Sequence, residues 1–147
     1  MFMGKYQNSI DAKSRMIIPA KFREALGHRC VVTIGLDKCL LIYTMQEWKN
    51  TYAALSEIPF TDEKGRQLIR DVSANATDYE IDKQGRIILP QDLQRYANIE
   101  KDLVTVGAFD KIEIWSKEEW ESKQGIGANR PSPSEVATEV TKFIHKG

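Results

Sequence analysis

The sequence predicts an α+β chain built from two tandem copies of one unit. Each copy runs strand, turn, strand, helix, strand, strand, helix. Three observations predict it. First, Asp82-Lys83-Gln84-Gly85-Arg86-Ile87-Ile88-Leu89-Pro90 restates Asp11-Ala12-Lys13-Ser14-Arg15-Met16-Ile17-Ile18-Pro19, with Asp, Arg and Pro each displaced by 71 positions (11 to 82, 15 to 86, 19 to 90). Second, the match continues at Phe22/Leu93 and Gly27/Asn98. After one inserted residue it resumes at Thr33/Thr105, Gly35/Gly107, Ile42/Ile114, Tyr43/Trp115, Glu47/Glu119 and Trp48/Trp120. Gapped matching of this extent marks a duplicated structural unit. Third, 41% hydrophobic residues suffice for a core and 29% charged residues argue against disorder in a chain of 147 residues.

Taken in order, each copy opens on a strand that leads to an Asp. An Asp at the head of a four-residue turn accepts hydrogen bonds from the backbone two residues on, and Gly85 supplies the left-handed position that closes the turn. In the first copy Ser14 holds that position. A residue with a Cβ is strained there, so the first turn is expected to be less regular than the second. The apolar triplets 16–18 and 87–89 follow without alternation, as in short strands buried on both faces. Pro19 and Pro90 end them and pre-set a helix start. Phe22, Ala25 and Leu26 make the apolar stripe of the first short helix, and Leu93, Tyr96 and Ala97 that of the second. Gly27 and Asn98 are residue types that tolerate the conformation ending a helix. Two strands come next, 31–34 and 40–43 in one copy, 103–106 and 112–115 in the other. Thr44-Met45-Gln46-Glu47 and Ser116-Lys117-Glu118-Glu119 are capping boxes, each launching a helix that carries a Trp.

Residues 49–76 join the copies. The first linker helix is expected to face Tyr52 and Leu55 inward and to stop at Pro59. Thr61 is expected to cap a second helix carrying Leu68, Ile69, Val72 and Ala76, with a packing role favoured over an oligomer contact. Beyond the second copy the composition shifts at 124–131 to a flexible linker. A fresh helix start follows at Ser132, Pro133 and Glu135. Val136, Val140, Phe143 and Ile144 share one face of that helix, and His145 reads as a solvated end residue. The expected organisation is thus a first unit at 5–48, a helical linker at 49–76, a second unit at 77–120 and a tail at 121–147.

The Asp-x-x-x-Arg turn, the apolar triplet plus Pro and the short helix resemble the SpoVT/AbrB-type swapped-hairpin domain. Two tandem copies, together with an opening Met1, Phe2, Gly4 and Tyr6 and the run Glu113-Ile114-Trp115, resemble the MraZ family. That family comprises bacterial transcriptional regulators of the division and cell-wall gene cluster. The resemblance covers roughly residues 1 to 122, and the tail has no counterpart in it. It implies two swapped-hairpin AbrB-like units packed as a pseudo-dimeric β-barrel with short helices. Such packing also satisfies the strand edges that a single unit would leave open. It further implies a ring-like homo-oligomer that recognises short, closely spaced, G-rich direct repeats in double-stranded DNA, and hence a cytoplasmic, nucleoid-associated protein.

The residues expected to meet DNA are Arg15 and Arg86, Lys13 and Lys83, with Asp11 and Asp82 orienting the arginines. Each Arg starts a strand immediately after its turn, where a guanidinium can reach a guanine edge or a phosphate. The bland alternative is that each Asp–Arg pair only staples its hairpin. A net charge of zero is an objection to nucleic-acid binding, which the distribution softens. Residues 1–30 hold six basic side chains against two acidic ones, whereas residues 77–101 hold four against five. On that count the first turn should supply more of the electrostatics, and repetition in an oligomer should multiply a modest patch.

Two other classes compete. A protein-interaction module of the antitoxin type would use the tail beyond Gly125 to hold a partner. An enzyme would need machinery the sequence lacks: there is no HExxH, GxSxG or phosphate-cradling glycine loop, and only His28 and His145 could act as imidazole bases. No cofactor, small-molecule substrate or membrane partner is expected. The start lacks the apolar run of a signal peptide. Cys30 and Cys39 stand apart without metal-ligand spacing and read as buried free thiols.

Overall fold

The computed structural model describes residues 1–125 and 130–144, the last four of these by their backbone. The first unit comprises β1 (Lys5–Ser9), β2 (Arg15–Ile17), α1 (Ala20–Leu26), β3 (Arg29–Ile34), β4 (Leu40–Thr44) and α2 (Met45–Ser56). After α3 (Glu63–Ala74) the second comprises β5 (Thr77–Glu80), β6 (Arg86–Ile88), α4 (Gln91–Tyr96), β7 (Asp102–Ala108), β8 (Lys111–Ser116) and α5 (Lys117–Gln124), and α6 (Pro133–Ile144) follows.

Six strands form one antiparallel sheet in the order β1-β7-β8-β4-β3-β5, and β2 pairs with β6 in a separate ribbon. Exchange the two units and the order reads the same backwards. The opening strand of each unit lies on the third strand of the other: Tyr6 faces Thr105 in β1–β7, and Cys30 faces Tyr79 in β3–β5. At the centre β4 meets β8, with Ile42 opposite Ile112. The hairpins are therefore exchanged between units within one chain, as the family resemblance implies. No hydrogen-bonded pairing joins the outer strands β1 and β5, so the sheet stays open and the ribbon packs across it.

The main core lies between the sheet and the ribbon. Met16 and Ile87 from the ribbon strands, with Ile18 and Leu89 just after them, meet Phe22 of α1, Leu93 of α4, and Ile42, Ile112 and Ile114 of the sheet, all of them buried. Burying each such side chain contributes about 1.5–3 kcal/mol. Phe22 also takes Phe2 and Tyr6 edge-to-face at 5.5 and 5.3 Å. The alternate strand residues serve the opposite face, where Trp115 packs with Cys39, Val104 and Trp120. Tyr43–Trp48 and Trp115–Trp120 are matching aromatic pairs, each at 5.7 Å.

The caps form as predicted. Thr44 Oγ1 accepts the Glu47 amide at 3.0 Å and Ser116 Oγ accepts the Glu119 amide at 3.0 Å. Gly27 and Asn98 both have positive φ, 76° and 55°, at the ends of α1 and α4. Ser132 Oγ accepts the Glu135 amide at 3.2 Å at the start of α6. Both cysteines are free and buried, and burial pushes each thiol up to about 12.

Several expectations need correction. The apolar triplets do not bury both faces: Met16, Ile18, Ile87 and Leu89 point inward, while Ile17 and Ile88 stay 50% and 54% exposed. A ribbon of only two strands has one covered face, so alternation is forced on it. Ala25 is exposed at the outer side of α1. Tyr52 faces solvent, because α2 rests on the sheet through Trp48 and Leu55 and Tyr52 lies off that stripe. Thr61 does not cap α3; Asp62 occupies the cap position with no side-chain bond, and Ala76 falls beyond the helix end. The linker segment 126–129 and His145 lie outside the described residues, as do the side chains of Phe143 and Ile144.

Candidate nucleic-acid interface

Two turns with the same wiring flank the ribbon. In the first, Asp11 Oδ1 accepts the backbone amides of Lys13 and Arg15 at 2.8 and 2.9 Å. Arg15 Nε donates to Asp11 Oδ2 at 2.7 Å. In the second, Asp82 Oδ1 accepts the amides of Gln84 and Arg86 at 2.9 and 2.8 Å, and Arg86 Nε donates to Asp82 Oδ2 at 2.9 Å. Backbone bonds close both loops: the Asp11 amide donates to the Arg15 carbonyl at 2.9 Å and the Asp82 amide to the Arg86 carbonyl at 3.1 Å.

The first turn is thus as regular as the second, contrary to the expectation raised by Ser14. Ser14 does sit in the left-handed region, at φ 61°, beside φ 77° at Gly85. The full Asp11 network holds it there, and its hydroxyl accepts a bond from Gln91 Nε2 at 3.2 Å. Each turn also docks on the other unit's strand. The Leu89 amide donates to the Ser14 carbonyl and the Ile18 amide to the Gly85 carbonyl, both at 2.8 Å.

The chemical result is an aimed cation. Each aspartate grips its arginine by Nε, and among the described residues the terminal guanidinium amines of Arg15 and Arg86 make no hydrogen bond. Side-chain exposures of 29% and 26% leave both heads reachable while their stems pack. Hydrogen bonds to the charged form favour it. The Arg15 amide above all, with the Arg15 guanidinium and the Lys13 amide, holds Asp11 below the ordinary carboxylate value. Asp82 is held down the same way, first by the Arg86 amide.

Register decides what shares the arginines' face. In β2–β6, Arg15 lies opposite Ile88 and Ile17 opposite Arg86, with Met16 and Ile87 between them pointing inward. Directly opposed residues on paired strands project to the same side. The outer face therefore carries Arg15, Ile17, Arg86 and Ile88 in a two-fold pattern. Sequence reasoning found the arginines and missed the isoleucines, whose exposure follows only from the pairing. Lys13 and Lys83 stand exposed within their turns. Among the described residues no group of three or more His, Cys, Asp or Glu could hold a metal, and no helix is long and apolar enough to cross a membrane.

Fold and ribbon together define a swapped-hairpin protein duplicated within one chain, with an aspartate-held arginine at each end of the ribbon. Comparison with known proteins makes the assignment specific. The chain belongs to the MraZ family: the family model described as "MraZ protein, putative antitoxin-like" matches residues 1–71 and again 72–138. A relative named "Transcriptional regulator MraZ" from Acetivibrio thermocellus is 50% identical over 125 residues, covering 85% of this chain and 87% of that protein. Relatives of the same name from Lachnoclostridium phytofermentans and Clostridium tetani are 47% and 48% identical. They cover 97% and 95% of this chain and 97% and 99% of their own lengths. These matches run well into the tail, which corrects the expectation that it has no counterpart. The name these relatives share denotes a regulator of transcription, a role other than an enzyme's.

Proposed function

We propose that this transcriptional regulator binds double-stranded DNA through the outer face of the β2–β6 ribbon and its two turns. Arg15 and Arg86 are the principal contacts, Lys13 and Lys83 engage the phosphates, and Asp11 and Asp82 fix the arginine heads. The observation that carries the reading is the paired turn. Two identical hydrogen-bond networks present two guanidiniums, each with free terminal amines, on one exposed face. A two-stranded ribbon is narrow enough for the major groove, where a guanidinium bonds the O6 and N7 acceptors of guanine, and an aliphatic side chain such as Ile17 or Ile88 can touch a thymine methyl.

The family membership supports the finer picture. Copies of the chain form a ring-like homo-oligomer whose ribbons line up on short, closely spaced, G-rich direct repeats upstream of the division and cell-wall genes, in the cytoplasm at the nucleoid. A chain of zero net charge gains from such repetition, because linked weak contacts act at high effective concentration. Binding to a duplex carrying such repeats, measured across a salt series, tests the reading. Arg15→Ala and Arg86→Ala should each lose about 1–3 kcal/mol per engaged site, with thermal stability unchanged. Parental affinity in both variants, or a large fall in melting temperature, would show that the pairs are hairpin staples. Loss of binding on deleting residues 126–147 alone would shift the function to the tail, as the antitoxin-type alternative requires.

A further inference from the structure

We propose that Arg23 is a DNA-phosphate ligand of the second turn, lent to it across the pseudo-two-fold axis by the first unit. The inference rests on the reading that the turns bind DNA. Counted along the chain, each turn carries two cations against one anion; in space, the second gains another cation. The guanidinium of Arg23, which belongs to α1, lies against the backbone of Gly85. A Cβ placed on Gly85 would collide with Arg23 Nε and Cζ and would sit 2.7 Å from Nη1. The turn beside Arg86 thus holds Lys83, Arg86 and Arg23 against Asp82, three cations to one anion. The first turn holds Lys13 and Arg15 against Asp11, two to one. On this reading the second turn itself, not the first, carries the larger local positive charge.

The counterpart of Arg23 shows what this side chain does besides packing. Arg23 Nε donates to the Ile18 carbonyl at 2.8 Å. At the position displaced by 71 stands Gln94, and Gln94 Nε2 donates to the Leu89 carbonyl, the matching acceptor, at 2.7 Å. A glutamine therefore performs the same anchoring, and the structural bond does not need a guanidinium. What arginine adds is a fixed positive charge at the turn, with terminal amines that make no hydrogen bond among the described residues. Any side chain at position 85 would have to displace that head. Beside the first turn, where the neutral Gln94 takes the place of Arg23, the chain carries Ser14. An arginine pinned by Nε with its terminal amines unbonded repeats the bonding pattern of Arg15 and Arg86. A guanidinium of that kind suits phosphate oxygens.

Arg23→Gln tests the inference, because a glutamine can keep the bond to Ile18, as Gln94 does to Leu89, while the charged head at the turn is removed. The full chain would be titrated with a duplex carrying short G-rich direct repeats and with a random duplex, each over a salt series. The variant should melt with the parent. The slope of log affinity against log salt should fall by about 0.9 for each engaged subunit. Both duplexes should weaken by the same factor, since phosphate contacts carry no sequence information. The double substitution Ser14→Gly with Gln94→Arg, which builds the second turn's arrangement into the first, should steepen the slope. A parental slope in Arg23→Gln would overturn the assignment, and so would a loss confined to the G-rich duplex. Arg86→Ala is the companion control. If it too binds as the parent does, the DNA-binding reading fails as a whole; if it weakens binding while Arg23→Gln does not, only the role of Arg23 fails.

Discussion

At the scale of single residues the two turns differ where the sequence flags a difference, but for a reason only the fold supplies. Ser14 and Gly85 share one backbone conformation, and the contrast lies in what leans on them. Gly85→Ser should cost the left-handed penalty of about 1–2 kcal/mol and displace the Arg23 head as well. For a chain of this size each kcal/mol lowers the melting temperature by about 2–4 °C. Ser14→Gly relieves similar strain, but it gives up the Gln91 bond and frees the unfolded chain, so its melting temperature should stay within a few degrees of the parent. If Gly85→Ser melts with the parent, Arg23 does not rest on the turn. Adding Arg23→Gln should recover part of the loss, which a scan of the double variant would show. The carboxylates add a pH signature. Asp11 and Asp82 have folded values depressed below the ordinary 3.8, so what they contribute to stability is present above that pH and is lost as pH falls through the lower folded value. Melting temperature should therefore show no loss from these turns between about pH 5 and 8. Carboxylate titration by NMR should place both midpoints below 3.8; a midpoint above it at either residue would contradict the network.

At the scale of elements, much was legible. The capping boxes at Thr44 and Ser116, the positive-φ helix ends at Gly27 and Asn98 and the break at Pro59 are local chemistry, written within a few residues. The ribbon's alternation is not legible in the sequence, because periodicity in a three-residue strand carries almost no information. Ile17 and Ile88 look as apolar as their neighbours, and only pairing with the other unit assigns them to the outer face. Tyr52 and Thr61 failed for a related reason: the face that α2 buries and the point where α3 starts are set by packing on the sheet, not by residue preference. The ribbon alternation makes a direct prediction. Met16→Ala and Ile87→Ala should each destabilise by about 2–5 kcal/mol, as core truncations do. Ile17→Ala and Ile88→Ala should stay within about 0.5 kcal/mol of the parent, as exposed sites do. Urea unfolding of the four variants decides it, and equal losses at 16 and 17 would mean that the ribbon is covered on both faces.

At the scale of the whole molecule, the duplication was legible as a repeat, whereas the exchange of strands was legible only through the resemblance to the swapped-hairpin domain, because nothing in a repeated sequence by itself says whether a strand pairs within its own copy. The register answers this: β1 lies on β7, β2 on β6 and β5 on β3, so every opening strand belongs to the other unit's fold. Neither half can satisfy its own backbone. A fragment of residues 1–71 would leave β1 and β2 without their partners and uncover Met16, Ile18 and Phe22, which pack against Ile87, Leu89 and Leu93 in the shared core. Unpaired edges of this kind recruit other chains. Because the strand order is palindromic, a second copy of the same fragment offers nearly the same partners, β3 for β7 and β2 for β6. The 1–71 fragment should therefore be unfolded or aggregated at low concentration and gain structure only as a homodimer, with circular dichroism and sedimentation changing together. Mixing it with a fragment of residues 72–147 should favour the mixed pair, whose core contacts are the native ones. A 1–71 fragment that is folded and monomeric when dilute would show that the unit closes on itself, and the exchanged topology would then be wrong.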